Sequence, residues 1–227
     1  MQHRVQRGTR NTDIANNASF IDDVEAPTTT WTVSTDPRFA GQLNLTDTVT
    51  RMIYSVMLTG VAPGSFYRLG ANGKRQRAHF DGLPVDFVAD AITTLGANVK
   101  DGFVTYHVMN PHDDGIGIDE YVDWLIEAGY PIERVEDFGQ WVQRFEDSLR
   151  ALPDRQAQNT VLPLLLAVRK GAPDFQPPQP PLGASASTER FRAAVRAARI
   201  GYSGDIPHIT PEVIIRYATD LEALKLL

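Results

Sequence analysis

Residues 119–135 read Asp119-Glu120-Tyr121-Val122-Asp123-Trp124-Leu125-Ile126-Glu127-Ala128-Gly129-Tyr130-Pro131-Ile132-Glu133-Arg134-Val135. This stretch predicts a helix over residues 119–128, followed by an edge strand over residues 131–135. A helix that leads directly into a strand is the building unit of α/β sheets. The stretch therefore sets the expected class of the fold, and the segments on either side extend it.

An apolar, β-prone run lies upstream of this helix, at residues 103–109. Such a run is typical of a buried parallel strand, because helices cover both faces of a parallel sheet. Downstream, residues 137–152 predict a second helix. One face of that helix carries Phe138, Trp141, Val142, Phe145 and Leu149. The order β-α-β-α predicts an α/β fold.

Three further elements are predicted nearer the amino terminus. One is a helix that ends at Gly60, whose apolar positions follow helical spacing: Val49, Met52, Ile53, Val56 and Met57. The Asn72-Gly73 pair stands between residues 66–69 and 75–80, and such a pair is typical of a hairpin turn, so a short β-ribbon is expected. Residues 84–95 predict another helix, which Gly96 would close in the left-handed conformation.

A proline-dense segment at residues 171–183 is expected to be an extended linker. It divides residues 37–170 from a helical tail at residues 184–227. In that tail Phe191, Val195 and Ala198 form one apolar stripe, and Thr210-Pro211-Glu212 predicts the start of the last helix. Residues 1–36 show no helical or strand periodicity, and the first thirty or so are expected to be mobile.

The composition limits the classes of partner. The formal net charge is −6 and the isoelectric point is near 5.3. Nucleic acids and anionic membranes select basic surfaces, so neither is expected as a partner. The chain has no cysteine, which excludes disulfides and thiolate chemistry and is compatible with a cytoplasmic location. Neither a signal peptide nor a membrane span is predicted from the sequence.

Four segments taken together carry a family resemblance. They are Gly41-Gln42-Leu43-Asn44, Ala62-Pro63-Gly64-Ser65-Phe66-Tyr67, Arg77-Ala78-His79-Phe80-Asp81-Gly82-Leu83-Pro84-Val85-Asp86-Phe87-Val88-Ala89 and Tyr106-His107-Val108-Met109-Asn110-Pro111-His112-Asp113-Asp114-Gly115-Ile116. In this order they resemble the carboxylic acid reductases, and more narrowly the C-terminal thioester reductase domain of that family. The resemblance continues to Leu227 and does not include residues 1–36.

The resemblance implies the C-terminal portion of a Rossmann-like, extended short-chain dehydrogenase/reductase domain with a mainly helical substrate subdomain. It also implies NADPH as the cofactor, an acyl thioester on a phosphopantetheinyl carrier domain as the substrate, and an aldehyde as the product. The family's proton-donating Tyr-x-x-x-Lys pair is missing from the chain. No catalytic residue is therefore assigned.

The family's glycine-rich phosphate-binding turn is also not found in full. The nearest segment is Gly115-Ile116-Gly117, in which Glu120 stands where a third glycine is expected. Carboxylates repel a pyrophosphate, so a plain turn before a helix is the favoured interpretation. No cofactor-binding residue is assigned, and the chain alone is expected not to bind NADPH.

Six residues are candidates for the substrate pocket: Gln42, Asn44, Phe66, Tyr67, Asn110 and His112. By resemblance the first four border the pocket for the acyl thioester, and polar groups beside aromatics suit such a pocket. Phe66 and Tyr67 could equally pack on the helix that follows residue 46. Asn110 and His112 follow the predicted strand, at the edge where α/β sheets bind ligands. The favoured alternative is that Asn110 shapes a turn and His112 bonds a loop carbonyl.

Other interpretations stay open. A metal site built from His112, Asp113 and Asp114 is disfavoured, because adjacent aspartates rarely converge with one histidine. Arg77 and His79 are expected to be exposed on the ribbon, and His107 to be a hydrogen-bonded core histidine. The whole chain could instead be a non-catalytic module that binds a carrier protein or another partner, or a degenerate gene remnant.

Overall fold

The computed structural model describes residues 31–34, 36–99, 102–171 and 175–227. The prediction of mobility for residues 1 to 30 lies outside this range. The helices are α1 (Thr48–Thr59), α2 (Val85–Asn98), α3 (Ile118–Glu127), α4 (Phe138–Arg150), α5 (Asp154–Ala157), α6 (Leu162–Gly171), α7 (Glu189–Ala198) and α8 (Pro211–Ala223). The strands are β1 (Trp31–Thr32), β2 (Val61–Pro63), β3 (Leu83–Pro84) and β4 (Glu133–Val135), and a 3₁₀ turn covers Pro37–Phe39.

Local signals in the sequence set both ends of helix α1. The Asp47 carboxylate accepts hydrogen bonds from the backbone N–H groups of Val49 and Thr50, which have no partner within the helix. Gly60 ends the helix with a φ of 65°, in the left-handed region that glycine adopts without a steric penalty. The predicted end of this helix at Gly60 is confirmed.

The strands form two short parallel pairs. Strand β1 pairs with β3, and strand β2 pairs with β4. The predicted edge strand at residues 131–135 is confirmed in its second half, as β4. The Arg134 side chain of β4 also donates a hydrogen bond of 2.9 Å to the carbonyl of Pro63 in β2.

Two strand predictions were wrong. Residues 103–109 have no strand ladder, and Phe103 and Val104 are 75% and 41% exposed. A strand forms only where a second backbone pairs with it, and the described residues supply none here. Residues 66–69 and 75–80 form no ribbon, although a turn joins them through a hydrogen bond from Gly70 N–H to the carbonyl of Lys74. Residues 75–80 instead form hydrogen bonds with the turn at residues 110–114.

Helix α2 begins at Val85, one residue later than predicted, and does not end at Gly96. It continues to Asn98, and the cap is Val99. The φ of Gly96 is not positive, and a Cβ added there would meet nothing within 4 Å beyond the helix itself. The left-handed cap predicted at Gly96 was wrong.

The tail packs into the body of the molecule. Ile214 and Leu221 of α8 are fully buried in one hydrophobic cluster with Ile53 of α1 and Leu125 of α3. Phe191 and Val195 of α7 are buried against helix α2 in a second cluster. The extended segment before the tail is also held, because Arg68 N–H donates to the carbonyl of Pro178. Both tail helices therefore belong to the hydrophobic core.

Candidate functional site

The structure divides the six candidate pocket residues into an exposed pair and a buried group. Gln42 and Asn44 lie at the surface before α1. The Oδ1 atom of Asn44 accepts hydrogen bonds from the backbone N–H and the hydroxyl of Thr46. Among the described residues, no hydrogen bond joins this pair to the other four candidates. The side chain of Gln42 is exposed.

Phe66 and Tyr67 are core residues, at 8% and 6% exposure. The Phe66 ring meets Trp141 of α4 edge to face, with centroids 5.7 Å apart. The Tyr67 hydroxyl accepts a hydrogen bond of 3.3 Å from Ile118 N–H, the first residue of α3. Burial raises the pKa of Tyr67 to about 12. Both side chains therefore fix the position of helices, and α1 is only one of their neighbours.

The backbone of Phe66 is anchored by the buried carboxylate of Asp119. This carboxylate accepts hydrogen bonds from Phe66 N–H (2.8 Å) and from the hydroxyl of Ser65 (2.5 Å). Arg134 donates to the Asp119 carbonyl at 2.7 Å and pairs with Asp123. A buried carboxylate with several hydrogen-bond donors is well stabilised, so this network holds Phe66 and Tyr67 in place against α3.

The Gly115–Gly117 turn does not fit a pyrophosphate. A Cβ on Gly117 would lie 2.6 Å from the Cβ of Ala78, so the residue is glycine because protein packs against it. The donors that would cradle a phosphate have internal partners. Glu120 accepts from Gly117 N–H at 2.7 Å, and Tyr67 accepts from Ile118 N–H. The turn is a helix start held by protein groups.

Asn110 and His112 organise the turn before α3. The Asn110 side chain donates to the carbonyl of Phe80 and accepts from His112 N–H. The His112 Nε2 lies 2.8 Å from the carbonyl oxygen of Ile206 and donates to it. The hydrogen bond from His112 to a loop carbonyl, expected in the structural interpretation, is present.

His112 of the same turn stacks on a second histidine, His208 of the tail. The ring of His208 stacks on His112 with centroids 3.5 Å apart and an angle of 20°. The His208 Nδ1 lies 2.9 Å from the Oδ2 of Asp114. The Asp114 side chain is 20% exposed, and its partner His208 comes from the tail, far along the chain. Burial lowers the pKa of His112, and the nearby charges of His208 and Arg192 add to this.

His79 is a functional candidate that the sequence did not indicate. Its side chain is 3% exposed, so the expectation of an exposed residue was wrong. Its Nδ1 lies 3.2 Å from the carbonyl of His112, and its Nε2 lies 3.0 Å from the Oδ1 of Asp81. Asp81 also accepts from the hydroxyl of Ser185 at 2.8 Å. The Asp81 carboxylate therefore joins a tail residue to His79.

The histidine and the carboxylate of this pair shift each other's titration. Burial lowers the pKa of His79, but the hydrogen bond to Asp81 and its charge outweigh burial, and the net pKa is raised. Burial raises the pKa of Asp81, but hydrogen bonds from His79 and Ser185 leave it lowered. Two acceptors face the His79 ring, so the doubly protonated ring satisfies both.

The remaining histidine and arginine predictions have mixed outcomes. Arg77 is exposed, as expected, and its guanidinium donates to the carbonyl of Asp113. His107 is not a core strand residue: it is partly exposed, and its Nδ1 contacts the carbonyl of Ser187 at 3.0 Å.

Within the described ranges, no group of three or more His, Cys, Asp or Glu residues is arranged to hold a metal ion. In the same ranges, no helix is both long and apolar enough to cross a membrane.

Comparison with known proteins shows extensive similarity. The chain is 61% identical over 199 residues to the isonitrile lipopeptide synthase of Mycobacterium tuberculosis and 59% identical over 192 residues to the carboxylic acid reductase of Mycobacterium marinum. Each match covers 85% of this chain, but only 8% of the synthase and 16% of the reductase. The chain thus spans a small part of these relatives. No protein-family model matches it.

Solved structures of reductase domains are also similar to this chain. The reductase domain of a nonribosomal peptide synthetase from Mycobacterium tuberculosis superimposes with a TM-score of 0.78 at 58% identity, over 87% of this chain and 45% of that domain. The terminal R domain of the myxalamid pathway superimposes with a TM-score of 0.60 at 22% identity, which supports the fold alone.

The fold and these matches define the class as the C-terminal portion of a Rossmann-like reductase domain of the extended short-chain dehydrogenase/reductase type. Within that class, the chain belongs to the family of carboxylic acid reductases and the reductase domains of peptide synthetases. The family resemblance noted in the sequence is therefore confirmed.

Proposed function

We propose that this chain forms the substrate-facing part of a thioester reductase domain, which reduces an acyl thioester on a phosphopantetheinyl carrier domain to an aldehyde with NADPH. The observation that carries the proposal is the 59% identity with a carboxylic acid reductase over 192 residues. Because the glycine turn before α3 is filled by protein groups, the proposal gives the described residues no part in holding NADPH.

The six candidate residues take two roles in this proposal. Gln42 and Asn44 are exposed and would contact the acyl or pantetheine chain. Phe66, Tyr67 and Asn110 are buried and would keep the pocket wall in shape through the start of α3 and the turn that precedes it. His112 supports that wall from the tail side. Aromatic walls with a few placed polar groups are typical of ligand pockets.

The test is a chimera in which the upstream half of the Mycobacterium marinum reductase domain is joined to this chain near Asp36. The readout is NADPH oxidation that depends on an acyl-pantetheine thioester. Turnover supports the proposal, and a folded chimera without thioester-dependent oxidation contradicts it. If that inactive chimera still binds a carrier domain saturably, the chain is better described as a binding module.

Two variants of the chimera test the direct contacts. Gln42→Ala is expected to raise KM several-fold with little change in kcat, because a uniform binding contact is lost. Gln179→Ala, at an exposed position of the proline-rich segment, is the matched control and should leave both constants unchanged. Equal KM values for the two variants would remove Gln42 from the proposed pocket.

A further inference from the structure

The tail loop, residues 199–210 between α7 and α8, meets the turn at residues 110–114 through two histidines. His112 donates to the Ile206 carbonyl at 2.8 Å, and His208 binds Asp114 at 2.9 Å. Their rings lie face to face at 3.5 Å. His112 is buried, whereas the His208 side chain is 57% exposed. One buried and one solvated imidazole thus share a contact surface.

The charges around His112 make this contact sensitive to protonation. The His112 ring stacks on His208, which pairs with Asp114; it feels the charges of Asp114 and of Arg192 from α7, and it donates to the Ile206 carbonyl. The neutral ring satisfies the Ile206 carbonyl through its Nε2–H. A second proton would place a positive charge on a buried ring. Burial disfavours that charge, and nearby cationic groups add to the cost.

We propose that the His112–His208 stack is an acid-released clasp that holds the His208 end of the tail loop against the turn at residues 110–114. Ile206 and Ile209, at 1% and 2% exposure, remain packed in the core and limit the release to the turn that carries His208. The clasp does not depend on the function proposed above, since it uses contacts within this chain alone.

The direction of the pH effect follows from the burial of His112. Burial and the nearby cations lower the pKa of His112 in the folded chain. The unfolded chain binds the proton more readily, so the clasp is at full strength above the ordinary histidine pKa of about 6.5. It weakens as the pH falls below that value.

The experiment is backbone amide NMR of the whole chain between about pH 7.5 and pH 5. In the wild type, the order parameter of the His208 amide should fall on acidification, while that of the Ile209 amide should not change. His208→Phe keeps a stacked ring, so protonated His112 meets an aromatic face that attracts it. In this variant the amide of residue 208 should stay ordered. His107→Gln, outside the clasp, should behave as the wild type.

Three results would overturn the clasp. One is unchanged order of the His208 amide in the wild type across the pH range. Another is equal loosening in His208→Phe, which would show that acid acts elsewhere. Global unfolding is separated from release by the amides of α1, since Ile53 and Val56 are buried. Loss of their order at the same pH as the loop also counts against the clasp.

Discussion

The imidazole Nε2 of His79 lies 3.0 Å from the Oδ1 of Asp81, inside the protein. The same carboxylate accepts a hydrogen bond from Ser185, which lies just before helix α7. The partly buried Asp81 carboxylate therefore connects the segment before α2 with the start of the tail. This hydrogen bond holds the tail to the body in addition to the apolar packing.

This ion pair predicts a stability that depends on pH. The raised pKa of His79 means that its contribution is complete below the ordinary value of about 6.5 and is lost as the pH rises through the folded value. His79→Gln should therefore cost more free energy of unfolding near pH 6 than near pH 9. Urea unfolding at the two pH values measures the difference, with His107→Gln as control. A cost that grows with pH would refute the assignment.

The close packing at Gly117 predicts opposite effects for two glycine substitutions. In Gly117→Ala the new Cβ would lie 2.6 Å from Ala78 and 3.2 Å from the ring of Tyr67, so we expect a loss of about 1–3 kcal/mol from overpacking. Gly96→Ala adds a methyl group in open space within α2, and we expect a gain of about 0.5–1 kcal/mol. Thermal unfolding compares the two variants. Similar melting temperatures for the two variants would show that the turn shifts to accommodate the new methyl group, against the expected overpacking.

The burial of helix α8 predicts that the tail is needed for the stability of the whole chain. Leu221 of α8 is 0% exposed, and Leu224, which follows the last residue of the helix, is 43% exposed. Leu221→Ala should lower the free energy of unfolding by about 2–5 kcal/mol, while Leu224→Ala should change it far less. Chemical denaturation followed by tryptophan fluorescence measures both. A small effect of Leu221→Ala would mean that the tail unfolds separately from the body.

The filled turn before α3 predicts that the chain alone does not bind NADPH. The first N–H groups of the turn and helix already bond Glu120 and Tyr67, and the Glu120 carboxylate would face the pyrophosphate. Titration with NADPH should leave the nicotinamide fluorescence unchanged. Energy transfer from a tryptophan to the nicotinamide at micromolar NADPH would contradict this expectation. The isolated chain should therefore also fail to reduce acyl thioesters.

The sequence predicted well the features that depend on neighbouring residues. The predicted end of α1 at Gly60 is present, and the predicted apolar stripe of α4 is buried at Trp141, Phe145 and Leu149. A helix bonds each N–H to a carbonyl four residues away, so caps and spacing suffice. The family was also readable, because its motifs are contiguous segments whose order the chain preserves.

Only the tertiary structure decided which residues form the candidate site. Residues 103–109 have strand-like composition, but a strand also needs a second backbone, and no described segment pairs with them. His79 is buried because it contacts the His112 carbonyl 33 positions away, and His112 meets Ile206 at a separation of 94. Spacing and propensity cannot encode such contacts. The burial of His112 and the pairing of His79 with Asp81, which shift the pKa values of these histidines in opposite directions, exist only once distant segments have packed together.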